Sequence, residues 1–258
     1  MERQRLGEVT VLMLRRPAIG IALLLAALVL VVPGCGSLGS EGLTQAVLPT
    51  RGASGWSGPG NVLVEGAVRS VALVEGHLVY QGPDCIFRVI VGELDVDCAG
   101  GDDPTPDSAG GIARANPEHT ALIDGAGRTL LRGEDVRHPH FAEGALFHTC
   151  GNSICRDGEV ILAPDEDERS VRDPFVRTVV SPLGRELWDM WFVLDEDGDG
   201  NLAFAGSFDG LTWVRYADNP ILSPTGGVAS PWIEEEFDGT ALYVVTRGDV
   251  VRRVRTIR

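Results

Sequence analysis

A short unit, Val-x-x-Pro set between two strand-like runs, recurs along this chain and constrains its fold more than any other feature. Val136-Arg-His-Pro139, Val171-Arg-Asp-Pro174 and Val228-Ala-Ser-Pro231 share the form, and Val68-Arg-Ser-Val71 is a weaker copy. Each copy follows a short apolar pair, in order Val62-Leu63, Leu130-Leu131, Ile161-Leu162 and Ile221-Leu222. Past a Gly-bearing turn, each is followed by a second run: Gly76–Tyr80, Gly144–His148, Glu186–Trp191 and Gly239–Val244. β-branched and aromatic residues interrupted at short intervals by Gly, Asp and Asn predict antiparallel meanders. A meander repeated at this interval predicts radial sheets, because each unit must bury its apolar faces against copies of itself. The expected class is all-β, a propeller of which four blades can be counted directly.

The fullest copy, Val171 to Leu222, opens with Phe175–Val180 and continues with the apolar run Leu187–Val193. An acidic turn, Asp195 to Asn201, closes a hairpin onto Leu202–Ala205, and Ser207–Trp213 turns into a last strand. The set V-R-D-P-F-V, E-L-W-D-M-W-F-V, A-G-S-F-D-G-L-T-W and N-P-I-L resembles a blade of the five-bladed β-propeller glycosidases. That superfamily includes arabinanases, β-xylosidases, invertases and levansucrases. The resemblance is close over Val171–Leu222 and loose over Val62–Arg258. It implies five blades, a sugar site on the propeller axis and, in active members, hydrolysis by carboxylic acids. The fifth blade would have to come from Leu43–Leu63 or His119–Leu131, since Ala99–Asn116 has no periodicity and reads as a surface insertion.

The first strand of a propeller blade lines the central channel, and ligands settle at its mouth. The repeat therefore delivers Ser70, His138, Asp173 and Ser230 to one place, with Arg69, Arg137 and Arg172 flanking them. Such a ring suits sugar hydroxyls or an anionic sugar. It equally suits a bland role, in which proline fixes each strand start and the polar residue before it makes a structural hydrogen bond. The resemblance implies that Asp173 is the carboxylate that orients substrate and tunes the other acids. Glycoside hydrolysis needs two carboxyl groups flanking the bond, about 5–10 Å apart. Where the family places its base or nucleophile, the first repeat has Ser70. Glu234, Glu235 and Glu236 follow Ser230-Pro231 but are read as a hairpin turn, and Glu143 lies in a turn upstream of Asp173, out of order. No full set of acids assembles, so two readings stand: a carbohydrate-binding propeller, with or without hydrolysis, and a non-catalytic envelope scaffold or protein-binding propeller.

Residues 1–34 read as an export signal, with Arg3, Arg5, Arg15 and Arg16 before the apolar run Ala18–Val32. The run is shorter than the ~20 residues a membrane span needs. It ends in Val32-Pro-Gly-Cys35, which resembles the lipobox of bacterial lipoproteins, with Cys35 as the lipid-bearing residue. Gly36, where Asp would resemble an inner-membrane retention signal, favours the outer membrane. Residues 35–60 read as a Gly- and Ser-bearing tether, and 61–258 as the propeller domain. Losing the signal takes the formal charge from −15 to −17, because that segment holds four Arg and two Glu. So acidic a chain repels phosphate backbones, which excludes nucleic acid as a partner and leaves carbohydrate, with the membrane reached only through lipid.

Four further cysteines fall in two close pairs, Cys85 with Cys98 and Cys150 with Cys155. In an exported chain an even count predicts local disulfides. Zinc is the alternative, against which stands the lack of any His-x-His or Cys-x-x-Cys spacing. Asp195, Asp197 and Asp199 begin like a calcium loop, but the twelfth position holds Gly206 where a bidentate Glu belongs. A charged hairpin turn is expected there, with weak Ca²⁺ binding at most and no other cofactor. Trp188, Trp191, Trp213, Trp232 and Tyr243 lie within strand patterns and are expected to pack between blades.

Overall fold

The computed structural model describes residues 60–90, 93–98, 101–107, 111–181, 183–196, 198–236 and 239–256. Residues 1–59, which include the expected export signal, Cys35 and the expected tether, lie outside the described residues, as does Asp197. All regular structure in the described residues is β: twenty strands form five four-stranded antiparallel sheets. Blade 1 is β2 (Ser70–Val74), β3 (His77–Gln81), β4 (Ile86–Ile90) and β5 (Glu93–Asp97). Blade 2 is β6 (Asp102–Pro106), β7 (Ile112–Ala115), β8 (Ala121–Ile123) and β9 (Thr129–Arg132). Blade 3 comprises β10 (Val136–Ala142), β11 (Ala145–Cys150), β12 (Ser153–Arg156) and β13 (Glu159–Leu162). Blade 4 comprises β14 (Ser170–Val180), β15 (Glu186–Asp195), β16 (Gly200–Ser207) and β17 (Trp213–Arg215). Blade 5 takes β18 (Ala229–Glu236), β19 (Gly239–Thr246) and β20 (Asp249–Thr256), and its outer strand is β1 (Asn61–Val64), the first strand among the described residues. Pairing β1 with β20 closes the ring and covers an edge that would otherwise offer unpaired backbone groups.

Five blades are present, and the fifth corrects the sequence reading. Ala99–Asn116 is not an insertion, since it supplies β6 and β7. Only β8 and β9 come from the His119–Leu131 stretch considered for the missing blade. Asp-Asp-Pro-Thr-Pro carries no apolar residue other than proline, so periodicity could not show it as a strand.

Local chemistry accounts for the hairpins. Glu75-Gly76, Glu143-Gly144, Asp157-Gly158 and Arg247-Gly248 are two-residue loops with both φ angles positive. That is the type I′ turn, whose twist matches the flanking strands and which calls for Gly at the second position. Arg247-Gly-Asp249 is therefore a turn and the start of β20. In the acidic β15–β16 turn, Gly198 N donates to Asp195 Oδ1 at 2.7 Å, a local cap that agrees with the hairpin reading.

The cores lie between blades. The largest cluster, between blades 3 and 4, holds Phe147, Ile154, Trp188, Met190 and Phe192. The next, between blades 4 and 5, holds Phe175, Trp191, Phe204, Ile233 and Leu242. Trp191 is fully buried against Phe175 and Phe204, Trp213 meets Phe147 edge-on, and Tyr243 packs between blades 5 and 1. The aromatic residues are packing residues, as their positions predicted. Both expected disulfides are formed, Cys85–Cys98 between the ends of blade 1's outer hairpin and Cys150–Cys155 across the β11–β12 hairpin.

Candidate functional site

Four of the five innermost strands carry the same irregularity. β6, β10, β14 and β18 each skip register at Asp103-Pro104, His138-Pro139, Asp173-Pro174 and Ser230-Pro231. Proline has no N–H for the ladder, and a bulge takes it out of the pairing. The residue before each proline lies in the left-handed region, at φ 58° for Asp103, 46° for His138, 55° for Asp173 and 49° for Ser230. Non-glycine residues accept that conformation at a cost of about 1–3 kcal/mol, which neighbours must offset. Asp and His are enriched among residues that adopt it, and both are used here.

The offset comes from a ring of bonds that passes from blade to blade. Each inner strand turns one main-chain amide toward the preceding blade, where a side chain accepts it. Asp103 N donates to Gln81 Oε1 at 2.8 Å, His138 N to Asp103 Oδ2 at 3.3 Å, and Asp173 N to Thr149 Oγ1 at 3.0 Å. Ser230 N donates to Asp173 Oδ2 at 2.9 Å, and Val71 N to Ser230 Oγ at 3.0 Å. The last hydroxyl donates in turn to Val71 O, which joins blade 5 to blade 1. Asp103, Asp173 and Ser230 thus serve as acceptors for the next blade.

His138 sits between two carboxylates. Its Nε2 is 3.0 Å from Asp103 Oδ1 and its Nδ1 is 2.9 Å from Asp173 Oδ1. Burial alone would lower its pKa, but the two carboxylates outweigh burial and raise it to about 10. Asp173 is almost wholly buried, which favours its neutral form. Even so, His138 and Arg172, whose Nη1 donates to Oδ2 at 2.8 Å, hold it well below the usual carboxylate range. His140, two residues along β10, donates to or accepts from no carboxylate: its Nε2 lies 2.7 Å from Val176 O, and its ring packs on Phe175 and Trp232. Burial pushes its pKa down to about 4.

Of the residues expected at the axis, His138, Asp173 and Ser230 meet there. Ser70 does not join them. β2 has neither proline nor bulge, so Ser70 turns to Gln81 Oε1 at 3.2 Å and Val71 lines the axial cavity instead. Arg69, Arg137 and Arg172 stand one position outward and each meets a carboxylate, respectively Asp102 at 3.9 Å, Asp135 at 2.5 Å and Asp173 at 2.8 Å. Glu234, Glu235 and Glu236 lie in β18, not in a turn. Glu235 pairs with Arg177 and accepts from Thr240 Oγ1 at 3.0 Å, while Glu143 accepts from Thr178.

Asp103 was missed, although spacing could have found it. It lies 33 residues after Ser70 and 35 before His138, and His138 is 35 before Asp173. A period near 34 predicts a unit midway between Ser70 and His138, where Asp102-Asp103-Pro104 stands.

The cavity at the centre, lined by Val71, Thr105, His140 and Trp232 together with the bulge residues, measures about 30 Å³. That is room for water, which needs about 10–15 Å³, and not for a sugar, since ligand sites run to about 300–1,000 Å³.

Fold and ring together define a five-bladed propeller whose axis is closed by its own polar side chains. Among solved structures the chain is similar to a thermostable family-43 glycoside hydrolase, at 12% identity and a TM-score of 0.50, covering 74% of this chain and 90% of that one. At that identity the likeness is one of fold: this chain has the five-bladed architecture of that glycosidase group. No family model and no curated protein matches the sequence.

Proposed function

We propose that this chain is an exported, lipid-anchored propeller of the cell envelope that recognises carbohydrate and does not hydrolyse it. One observation carries the second half of that reading. The only axial carboxylates among the described residues that stand near each other, Asp103 and Asp173, are one imidazole apart, and the imidazole of His138 fills the space between them. A hydrolase needs that space for the scissile bond, with one carboxyl free to give a proton and the other free to attack or activate water. Here both are engaged by the same imidazole. Recognition would fall to the rim, where Arg69 and Arg137 are exposed enough to meet hydroxyl or carboxylate groups of a glycan. Export and attachment through Cys35 rest on the N-terminal sequence alone, and the outer membrane is the favoured location.

The test is a glycan array together with a panel of aryl glycosides. Retention of a glycan, weakened by Arg69→Ala with Arg137→Ala, and no turnover is the expected pair of results. Turnover that Asp103→Asn abolishes would refute the non-hydrolytic reading. Silence on both, with a stoichiometric protein captured from envelope membranes, would replace carbohydrate by a protein partner.

A further inference from the structure

Away from the axis, a cavity of about 570 Å³ opens between blade 2 and blade 3, bounded by Arg132, Glu134, Asp135, His148, Cys150 and Cys155. Its floor is the β11–β12 hairpin. His148 faces Cys155 directly across that hairpin, and Cys150, two residues further along β11, shares its side of the sheet. A ring nitrogen of His148 and the two sulfurs lie within 4.8 Å of one another. His148 is only 1% exposed, and although its ring lies near the Leu146 main chain, its Nδ1 finds no well-aligned partner among the described residues. A buried nitrogen so poorly paired is suited to a ligand role, since polar groups in protein interiors are otherwise paired.

We propose that reduction of the Cys150–Cys155 disulfide turns this corner into a zinc site, with His148 and the two thiolates as ligands and the fourth position open to the cavity. The chemistry follows from the donor set: two thiolates and an imidazole suit a soft or borderline d¹⁰ ion, and three protein ligands plus one free position is a recurring zinc arrangement. The redox step balances. A dithiol reductant supplies two electrons and two protons, the S–S bond breaks to two thiols, and the reductant closes to its own disulfide. Zinc then displaces the two thiol protons. The ladder from Phe147 to Cys150 against Ser153 to Arg156 is made by the main chain and holds the ligand spacing when the S–S bond is gone. In an oxidising compartment the pair stays closed, so zinc uptake would report contact with a reductant.

Zinc alone is the probe. Full-length chain lacking the export signal is reduced with a phosphine under argon, freed of reductant, and titrated with zinc against a chromophoric chelator. The oxidised protein is titrated in parallel, and cobalt replaces zinc in a second series. The expected result is one zinc per reduced chain, with thiolate-to-cobalt charge-transfer bands, and no such binding by the oxidised chain. His148→Gln, checked for fold by circular dichroism, is expected to weaken binding by at least about 10–100-fold, the range for losing even a partner of a ligand. Cys150→Ser with Cys155→Ser, which keeps Cys85 and Cys98, is expected to bind none. Equal binding by oxidised and reduced chains, undiminished binding by His148→Gln, or zinc retained by the double serine variant would each overturn the proposal.

Discussion

Blades 2 and 4 share one axial geometry and little else. Blade 4 is built on strands of 11, 10 and 8 residues, and its faces supply Trp188, Met190, Trp191, Phe192 and Phe204 to the two largest clusters. Blade 2 has strands of 5, 4, 3 and 4 residues and offers mainly Ala113, Ala115, Ala121 and Leu122. Yet both carry an Asp-Pro bulge at positive φ, and both aspartates bind the same imidazole. The difference teaches that a blade can be seated in two ways, by apolar area against its neighbours or by polar bonds at its inner strand. Blade 2 leans on the second. Asp102 meets Gln81 and, at 2.7 Å, His119 Nε2, while Asp103 meets His138 and receives the amide of the next blade.

The comparison breaks first at Trp191. Replacing this fully buried indole with alanine in blade 4 is expected to cost about 3–5 kcal/mol in equilibrium denaturation. A loss below 1 kcal/mol, on the order of a surface change, would mean that blade 4 is not the packing centre. The counterpart in blade 2 is Asp103→Ala, which leaves the His138 amide and one side of the imidazole without an acceptor. The expected cost is about 1–3 kcal/mol. Hydrogen exchange sharpens the contrast: protection should fall in β6–β9 and persist in β14–β16. An even fall across all blades would show that blade 2 is held by its core after all.

These two blades also explain what could be read in advance. Blade 4 was legible because long apolar strands, an acidic hairpin turn and Val-Arg-Asp-Pro stand in one run, and the disulfides were legible because their cysteines are near in sequence. Blade 2 was not, because Asp102–Pro106 has no apolar alternation and its strands are too short for periodicity to register. The axial residues were found for a reason that proved incomplete. For the polar residue before proline a ligand role and a structural hydrogen bond were both open; the second is present, because the bulge exposes an amide that needs an acceptor from the blade before it. That need becomes visible only once strand register is known, as does the imidazole bridging Asp103 and Asp173. Ser70 was placed with the ring by analogy of position, but without proline there is no bulge to bring it in.

Titration separates the two junctions that blade 3 makes. His140, buried beside blades 4 and 5, has its pKa lowered to about 4, so the unfolded chain takes up its proton first as pH falls. Its contribution is whole above the unfolded value near 6.5 and is lost toward pH 4, by about 1.4 kcal/mol per pH unit. His138, facing blades 2 and 4, has its pKa raised to about 10 and behaves oppositely. Its contribution is whole below about 6.5 and is lost as pH rises toward 10, at a similar slope of about 1.4 kcal/mol per unit. Stability measured in urea across pH 4–10 is expected to form a dome, and Asp103→Asn is expected to flatten its basic limb while leaving the acid limb in place. A basic limb unchanged in that variant would show that the Asp103 side of the imidazole contributes nothing.

The smallest effect is expected where an ion pair lies in water. Arg177 and Glu235 join blades 4 and 5 as Asp103 and His138 join blades 2 and 3, but the Glu235 side chain is 54% exposed against 10% for Asp103. Solvent and salt screen the first pair, and its two long side chains lose freedom by pairing, so Glu235→Gln is expected to cost between about 0 and 1 kcal/mol. Arg177 keeps a second support in the Trp191 ring, 4.8 Å from its guanidinium carbon, which further lowers the loss. Added salt should shrink even that difference while leaving the Asp103→Ala cost nearly unchanged, because buried charges are screened far less. Equal sensitivity of the two variants to salt would place the axial pair in contact with solvent and undo the distinction between a sealed hub and a wet rim.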